Sequence, residues 1–258
     1  MAESVSFATV FIAGAAVGSF LNVVIFRGPA MWGLVDAPPR GDLVAPRSYC
    51  PACKAPLAFW NLVPLASYFL QRGRCAACGA PIAVRYPLVE LLAGVTAIIA
   101  LILFGWTLSA LLAAVFAMAL IALAFIDLET GYLPDAITLP LIALGLSANF
   151  FGVFVTPAGA VIGAAAGFFV FWAIGAAYNQ LRGRDGLGLG DAKLLAAIGA
   201  WTGWTLLPLV IFIAAAMTLA FAALRGLATS DKALPFGPGL CAAGFIALFF
   251  GERILSGL

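Results

Sequence analysis

Long uncharged apolar runs alternate with short polar segments along most of this chain. The first run, residues 5–26, has 22 residues without a charged side chain. A helix needs about 20 such residues to cross the hydrocarbon core of a bilayer. The pattern predicts about eight transmembrane helices, at residues 5–26, 87–104, 107–126, 136–154, 158–180, 194–204, 206–224 and 238–251.

The sixth and seventh of these helices come from one apolar stretch, residues 194–224. It has 31 residues, which is too long for a single span of ordinary tilt. Gly203, Trp204 and Pro208 interrupt it and favour a division there. The first piece is short, so we expect a helix that neighbouring helices shield from lipid.

Composition supports a membrane protein. The chain has 258 residues, of which 64% are hydrophobic and only 9% are charged, whereas a soluble domain is about a quarter charged. A soluble globular protein is therefore excluded. We predict an all-α polytopic membrane protein with a first transmembrane helix (1–26), a small loop domain (27–86) and a seven-helix membrane domain (87–258).

The distribution of basic residues predicts the orientation in the bilayer. Residues 27–86 hold seven Lys or Arg against two acidic residues, a local charge of +5. Basic loops stay in the cytoplasm, so we expect this segment, and the loops at 127–135, 181–193 and 225–237, on the cytoplasmic side. The first run lacks a basic leader and a cleavage site, which indicates a retained helix. We expect the apolar helices to be surrounded by the lipid bilayer, and no feature of the sequence indicates binding to nucleic acid.

Four cysteines in the loop domain form two Cys-x-x-Cys pairs, Cys50 with Cys53 and Cys75 with Cys78. Two such pairs with this separation are typical of a zinc site, here with four thiolate ligands. Such a site is closed to catalytic water, which indicates a structural role. Two disulfides are the alternative, but a cytoplasmic location disfavours them. Cys241, in the last span, is expected to be an ordinary apolar residue.

The chain contains no histidine. This excludes Ser-His-Asp and Cys-His nucleophile systems and the His-Glu-x-x-His zinc peptidases. Acid–base chemistry must then come mainly from the 11 carboxylates. Ionisable groups at membrane depth are costly and usually functional, so the acidic residues at the ends of the spans are the candidates.

Asp127 follows an apolar run directly, and Asp191 directly precedes another in the sequence Gly188-Leu189-Gly190-Asp191. Both are expected at cytoplasmic helix ends. Two carboxylates that lie close together share a proton, so one can act as general base on water and the other as general acid. The alternative for Asp191 is a helix N-cap after a flexible glycine loop.

At this point the motifs resemble those of the type IV prepilin peptidases, a family of bifunctional leader peptidases and N-methyltransferases of bacterial membranes. The resemblance covers nearly the whole chain, in the family's order. It is carried by Gly18–Arg27, the paired cysteines with Arg72-Gly73-Arg74, Arg85–Glu90, Ile126-Asp127-Leu128, Leu133-Pro134-Asp135, Gly188–Leu194 and Pro235–Pro238.

The resemblance implies cleavage of a short basic leader from prepilins or pseudopilins, after a Gly, at the cytoplasmic face of the bacterial inner membrane. The family's catalytic pair falls on Asp127 and Asp191, with Gly188, Gly190 and Lys193 in the active-site loop. It also implies methylation of the new N-terminus by S-adenosylmethionine. No glycine fingerprint of a Rossmann fold is present, so the sequence does not place the methyl donor.

Acidic side chains near the site should attract a basic leader. On that argument Glu129, Asp135 and Asp185 are hypothetical leader-binding residues, and the resemblance implies a structural or supporting role for Asp135. Asp185 stands where many family members have Glu. Glu90 is a candidate for binding the free amine or for a structural ion pair.

Three other functions remain open on the residues alone. An ion-coupled transporter would use Asp127 and Asp191 as ion or proton carriers, but it does not explain the four cysteines. A structural scaffold with a zinc loop explains the cysteines but not the two acids. An aspartic intramembrane peptidase with substrates other than pilins fits both, and neither the particular pilin nor the oligomeric state follows from the sequence.

Overall fold

The computed structural model describes residues 2–38, 40–182, 188–224 and 235–257. Within these ranges the chain forms helices and no strands, apart from two isolated bridges in the cysteine segment. A 3₁₀ turn covers Phe59–Leu62. The α-helices are α1 (Ala2–Met31), α2 (Ala66–Leu70), α3 (Arg85–Phe104), α4 (Leu108–Thr130), α5 (Asp135–Phe150), α6 (Pro157–Arg182), α7 (Leu189–Thr202), α8 (Leu207–Leu224) and α9 (Gly237–Ser256).

All eight predicted apolar helices are present, and the prediction of an all-α membrane protein is confirmed. Two of the boundaries differ in ways that affect the site. Helix α1 continues to Met31, beyond the predicted end at residue 26. Helix α7 begins at Leu189 rather than at 194, because its first turn contains polar residues that an apolar run does not include. Asp191 is therefore inside the helix.

Six of these helices are long and apolar enough to cross a membrane, which indicates a multi-pass membrane protein. Helices α5 and α7 are shorter, with 16 and 14 residues. Fourteen residues extend only about 21 Å along a helix axis, against a hydrocarbon core of about 30 Å. Nine consecutive residues of α7, Leu194 to Thr202, are buried. This confirms that α7 is a shielded helix.

The chain divides into two compact units, Met1–Ala122 and Leu123–Leu258. In the first unit, α1 packs closely on α3. A Cβ at Gly14 would lie 2.8 Å from the Ala93 carbonyl oxygen, and one at Gly18 would lie 2.8 Å from Glu90 Cα. These two glycines, spaced four residues apart, let the backbones of α1 and α3 approach.

In the second unit, α7 is the central helix and packs against α5, α6, α8 and α9. Polar groups fix its C-terminal end to α5. The Trp201 indole N–H donates to the Leu141 carbonyl at 2.8 Å, and the Asn149 amide donates to the Ala200 carbonyl at 2.8 Å. Both side chains are fully buried. Such bonds are costly to leave unmade in a buried site, so they hold α7 in one position.

Glycines determine how closely α6 approaches α7. Gly163 on α6 faces Gly199 on α7, and a Cβ at Gly163 would overlap backbone atoms of that helix. We expect Gly163→Ala to lower the free energy of unfolding by about 1–3 kcal/mol through overpacking, measured by thermal or denaturant unfolding in detergent. Gly159→Ala is the matched control on the same helix, because its Cβ would meet only the Thr156 hydroxyl, at 3.0 Å. Equal stability of the two variants would contradict this packing.

Candidate active site and metal centre

Asp127 lies in the last turn of α4 with its side chain only 6% exposed. The helix ends just after it, at Thr130, because Gly131 adopts a positive φ of 70° and its N–H donates to the Asp127 carbonyl at 2.8 Å. The Asp127 Oδ2 atom is buried and has no hydrogen-bond partner among the described residues. A buried carboxylate oxygen without a partner is available for a proton, a water molecule or a substrate group.

Asp191 lies in the first turn of α7. The N-cap of that helix is Gly188, with φ −73° and ψ 145°, so Asp191 is not the capping residue that the alternative interpretation required. The Gly188 backbone N–H approaches the Asp191 carboxylate. Negative charge is favoured at a helix N-terminus because the first N–H groups have no partner within the helix.

The two carboxylates come together in the second unit although they are 64 residues apart in sequence. Asp127 and Asp191 are within electrostatic range of each other, and the Cys241 thiol on α9 is within range of both. Cys241 is 3% exposed. The sequence predicted the two acids, but it gave no indication that Cys241 borders them.

Two contacts connect the segment after α4 to the first turn of α7. A Cβ at Gly190 would lie 3.1 Å from the Leu133 Cβ, so the glycine permits a close approach there. The Lys193 ammonium forms a salt bridge with both carboxylate oxygens of Asp135, each at 2.7 Å. Both loop glycines have ordinary backbone conformations among the described residues, so the motif uses the small size of Gly190 rather than a left-handed backbone.

Gly237, at the start of α9, lies beside Asp127 and was not among the predicted site residues. Its backbone N–H approaches the Asp127 carboxylate, and a Cβ on it would lie 2.6 Å from Asp127 Oδ2. The available signal was Pro-Phe-Gly-Pro directly before an apolar run, which marks a helix start beside a residue without a side chain.

We expect Gly237→Ala to lower the rate of peptide cleavage by about 100-fold, because the added Cβ must displace the Asp127 carboxylate and misplacements near 1 Å have effects of this size. The clash involves a side-chain end that can rotate, so the melting temperature should stay close to that of the wild type. A cleavage assay and a thermal melt on the same preparation test this. Wild-type cleavage by Gly237→Ala would show that Asp127 does not need this space.

The remaining predicted leader-binding acids have different surroundings. Glu129 and Asp135 are exposed, and the Asp135 carboxylate is bound to Lys193. Asp185 lies outside the described residues. Surface acids of this kind influence a basic ligand by charge, and their position alone does not assign them a role.

Glu90 is in the first unit, in the second turn of α3, and is 8% exposed. Its carboxylate accepts the Leu65 backbone N–H at 2.8 Å and the Ser19 hydroxyl. Leu65 has a positive φ of 60°, which is unusual for a residue with a branched side chain. Glu90 therefore connects α1, α3 and the segment before α2.

The four predicted metal ligands are gathered at one place. The sulfur atoms of Cys50, Cys53, Cys75 and Cys78 all lie within 4.8 Å of one another, and none forms a disulfide. The Cys50 and Cys78 sulfurs are 3.9 Å apart. A tetrahedral zinc with Zn–S bonds of about 2.3 Å places its ligands about 3.8 Å apart. This cluster could hold a metal ion, and its donors fit zinc.

The two cysteine pairs fold alike because their sequences are alike, Tyr-Cys-Pro-Ala-Cys-Lys-Ala-Pro and Arg-Cys-Ala-Ala-Cys-Gly-Ala-Pro. In each, the first cysteine N–H donates to a carbonyl five residues later, to Ala55 in one and Ala80 in the other. Backbone N–H groups of Cys78 and Ala77 lower the pKa of the Cys75 thiol to about 7. This favours the thiolate form that binds metals.

Two protein-family models match this chain, one over its N-terminal part and one over most of the remainder. The model of the bacterial Peptidase A24 N-terminal domain matches residues 12–104. The model of the Type IV leader peptidase family matches residues 114–223. The first contains the four cysteines and Glu90, and the second contains Asp127 and Asp191. No solved structure matches the chain.

Relatives named prepilin leader peptidase/N-methyltransferase align over nearly all of the chain. The protein from Burkholderia pseudomallei is 46% identical, over 93% of this chain and 84% of the relative. The protein from Aeromonas hydrophila is 45% identical, over 96% and 92%. The protein from Neisseria gonorrhoeae is 42% identical, over 94% and 90%. With these identities and matches in both units, the chain belongs to the Type IV leader peptidase family and is an enzyme, as its paired carboxylates predicted.

Proposed function

We propose that this protein removes the basic leader from type IV prepilins or pseudopilins by hydrolysing the peptide bond after a Gly, and then methylates the new N-terminal amine. The names of the relatives support the substrate class and both activities. The observation that carries the peptidase half is that Asp127 and Asp191 lie within electrostatic range of each other at two helix ends, and that one carboxylate oxygen of Asp127 is buried without a partner among the described residues.

The two carboxylates supply the acid and the base for hydrolysis. Close carboxylates cannot both ionise readily, so the pair holds one proton. The ionised member takes a proton from water, the oxygen of which attacks the scissile carbonyl carbon, and the protonated member donates to the carbonyl oxygen. Collapse of the tetrahedral intermediate breaks the C–N bond, and the leaving amine takes a proton from the pair. The amine product is the new N-terminus.

Substrate backbone would enter beside Gly188 and Gly190 at the start of α7. Gly188 is exposed and Gly190 is half-buried, so a peptide can approach the helix start without a side chain in its way. Glu129, exposed at the end of α4, contributes negative charge for a basic leader. Asp135 would act mainly through Lys193, to which it is bound.

The proposed location is the bacterial inner membrane, with the reaction at its cytoplasmic face. The support is the positive charge of residues 27–86, at +5, which the positive-inside rule assigns to the cytoplasm. Prepilin leaders are basic on the family resemblance, so they would stay on that same side. Charge distribution thus accounts for the orientation of both enzyme and substrate.

We further propose that the cysteine cluster holds one structural zinc ion and that residues 27–86 form the metal-binding domain. Cys50, Cys53, Cys75 and Cys78 would hold the ion. Four thiolates leave no position for a catalytic water, so the ion would supply folding stability to a segment with little apolar core. The methyl group for the second reaction would come from S-adenosylmethionine, a sulfonium compound that leaves as a neutral thioether when its methyl group is transferred.

The experiment uses purified protein in detergent with a prepilin that carries its leader. We expect a mobility shift from leader loss, and mass spectrometry of the product should show a new N-terminus with one added methyl group when S-adenosylmethionine is present. The matched substrate has the Gly before the cleavage site replaced by Ile and should not be cut. Unchanged prepilin after incubation with active-site-intact enzyme would reject the peptidase proposal, and cleavage without methylation would reject only its second half.

A further inference from the structure

The segment between the two cysteine pairs contains 17 consecutive residues, 55–71, without a charged side chain. It forms the 3₁₀ turn Phe59–Leu62 and the short helix α2, Ala66–Leu70. Cys53 and Cys75, just outside its two ends, belong to the cysteine cluster, so both ends of the segment are held at one place. The proposed cleavage mechanism uses none of these residues.

The outer side of this segment is apolar. Five large side chains within 12 residues of the chain are between 47% and 84% exposed, namely Phe59, Trp60, Val63, Phe69 and Leu70. We call these five side chains the apolar surface. Large exposed apolar groups gathered in this way mark a surface that a partner or a membrane covers.

The polar side chains of the segment face the other way. They are half-buried and line a cavity of about 490 Å³ in the first unit, and they are Asn61, Ser67, Tyr68 and Gln71. Glu90 and Asn22 also line this cavity, and the buried Asn22 Oδ1 has no partner within the described residues. Buried polar groups together with an exposed apolar patch are the informative departure from the usual arrangement in water. The reversal indicates apolar surroundings outside.

A hydrogen bond fixes the depth of the segment along α3. The Glu90 carboxylate accepts the Leu65 backbone N–H at 2.8 Å. Helix α3 is a candidate membrane span of 20 residues, Arg85–Phe104, and it extends about 30 Å, which equals the thickness of the hydrocarbon core. Glu90 comes five residues after Arg85, about 7 Å along the axis. Leu65 therefore lies at the depth of the outer hydrocarbon region.

The charges beside the segment have one sign. Lys54, Arg72 and Arg74 flank it and are exposed, and no acidic residue occurs between Asp42 and Glu90. Zinc held by four thiolates would contribute a charge of −2, which leaves this stretch positive because it contains five basic residues. Basic residues next to a bilayer are attracted to anionic headgroups, and tryptophan and tyrosine are enriched at the same level.

From the reversed polarity, the depth and the charge we propose that the apolar surface is inserted into the bilayer, in the leaflet at which α3 begins, and that Lys54, Arg72 and Arg74 bind anionic lipid headgroups there. Interfacial segments of this kind insert about 5–10 Å, in agreement with the depth of Leu65. The cysteine cluster is then attached to the membrane surface on both sides of the segment. This inference concerns lipid and depends on neither proposed catalytic activity.

The test uses the full-length protein in lipid vesicles and the fluorescence of Trp60. The chain has six tryptophans, so the difference between the wild type and Trp60→Phe isolates this one. We expect lipids that carry bromine near the top of the acyl chain to quench the Trp60 signal by about half or more, and acrylamide in the water to quench it little. Quenching by acrylamide without quenching by brominated lipid would overturn the proposal. Protection from acrylamide that arises only after prepilin is added would also overturn it, because a substrate helix would then cover the surface.

Charges placed on the apolar surface should expel it from the bilayer, because a charged side chain in lipid is costly. In the double variant Phe69→Glu with Leu70→Glu, we expect quenching of Trp60 by brominated lipid to fall at least about 2-fold. Chymotrypsin, which cuts after aromatic residues, should then cleave between residues 59 and 68 in vesicles and should spare the wild type. Val44→Glu is the matched control, since Val44 is 89% exposed and lies outside the segment. Equal quenching and equal cleavage in the double variant and the wild type would contradict insertion.

The headgroup part of the proposal has its own variant. In vesicles that contain phosphatidylglycerol, quenching of Trp60 by brominated lipid should exceed that in vesicles of phosphatidylcholine alone. Arg72→Gln with Arg74→Gln should remove this difference, because the electrostatic attraction depends on these charges. Zinc content and melting temperature show that the variants remain folded. A wild type that is indifferent to the anionic lipid would reject the headgroup contacts.

Discussion

Replacing Asp127 or Asp191 by Asn is expected to reduce leader cleavage by about 10³-fold or more, while the protein still folds. A positioned acid or base contributes up to about 10⁴-fold, and 10³-fold corresponds to about 4 kcal/mol of transition-state stabilisation. Asn has nearly the same shape as Asp but cannot take a proton from water. The measurement is the initial rate of prepilin cleavage in detergent, together with the melting temperature.

Two features of this result would distinguish a shared-proton pair from two independent acids. The double variant should be no slower than the single ones, because removing either member of a working unit removes its function. The melting temperature should be equal or higher, since Asp127 Oδ2 is buried without a partner among the described residues and active-site residues are often kept at a cost in stability. Glu252→Gln is the control. Full activity in either single variant would contradict the mechanism.

Removing a metal ligand should also have a large effect, which is loss of bound zinc and of folded structure in the first unit. We expect Cys75→Ser to reduce bound zinc from about one ion per chain to nearly none and to unfold the segment around the cysteines. Structural zinc contributes on the order of 10 kcal/mol to the folding of small metal domains, and serine is a poor ligand. Elemental analysis and limited proteolysis of residues 27–86 measure the two outcomes.

Leader cleavage should continue in this variant, because Asp127, Asp191 and Gly237 all lie in the second unit. Cys241→Ala is the matched control, because Cys241 is not in the cluster and its loss should leave the zinc content at one per chain. Zinc-free wild-type protein with an intact cysteine segment would contradict the structural role.

Much of the fold was predictable from the chain because transmembrane helices leave a local signal. Each apolar run of sufficient length must form its backbone hydrogen bonds internally, so the positions of the helices follow from composition alone. The residues at which the helices begin do not follow from composition. The five-residue error at the start of α7 arose because Leu189 to Lys193 includes polar residues that belong to the first helical turn.

The candidate chemistry was partly predictable for a different reason. Without histidine, the choice of acid–base groups was narrow, and Asp127 and Asp191 were the acids adjoining apolar runs. The spacing of the paired cysteines likewise predicts that their four thiols can bind one metal ion. By contrast, the sequence around Gly237 marks only a helix start, and Asn22 resembles any polar residue in a helix, so the sequence did not identify the groups that these two residues lie against.

The sequence by itself determined that the protein is a helical membrane enzyme without histidine chemistry, with two candidate acids and four cysteines of metal-binding spacing. These properties depend on residue type and short separations along the chain. Only the tertiary structure decided that Gly237 lies against the Asp127 carboxylate, that Asn22 Oδ1 lacks a donor in the part of the chain that the structure describes, and that Glu90 lines a cavity. Those facts depend on how separate helices pack, and packing is set by many weak contacts between residues distant in the chain.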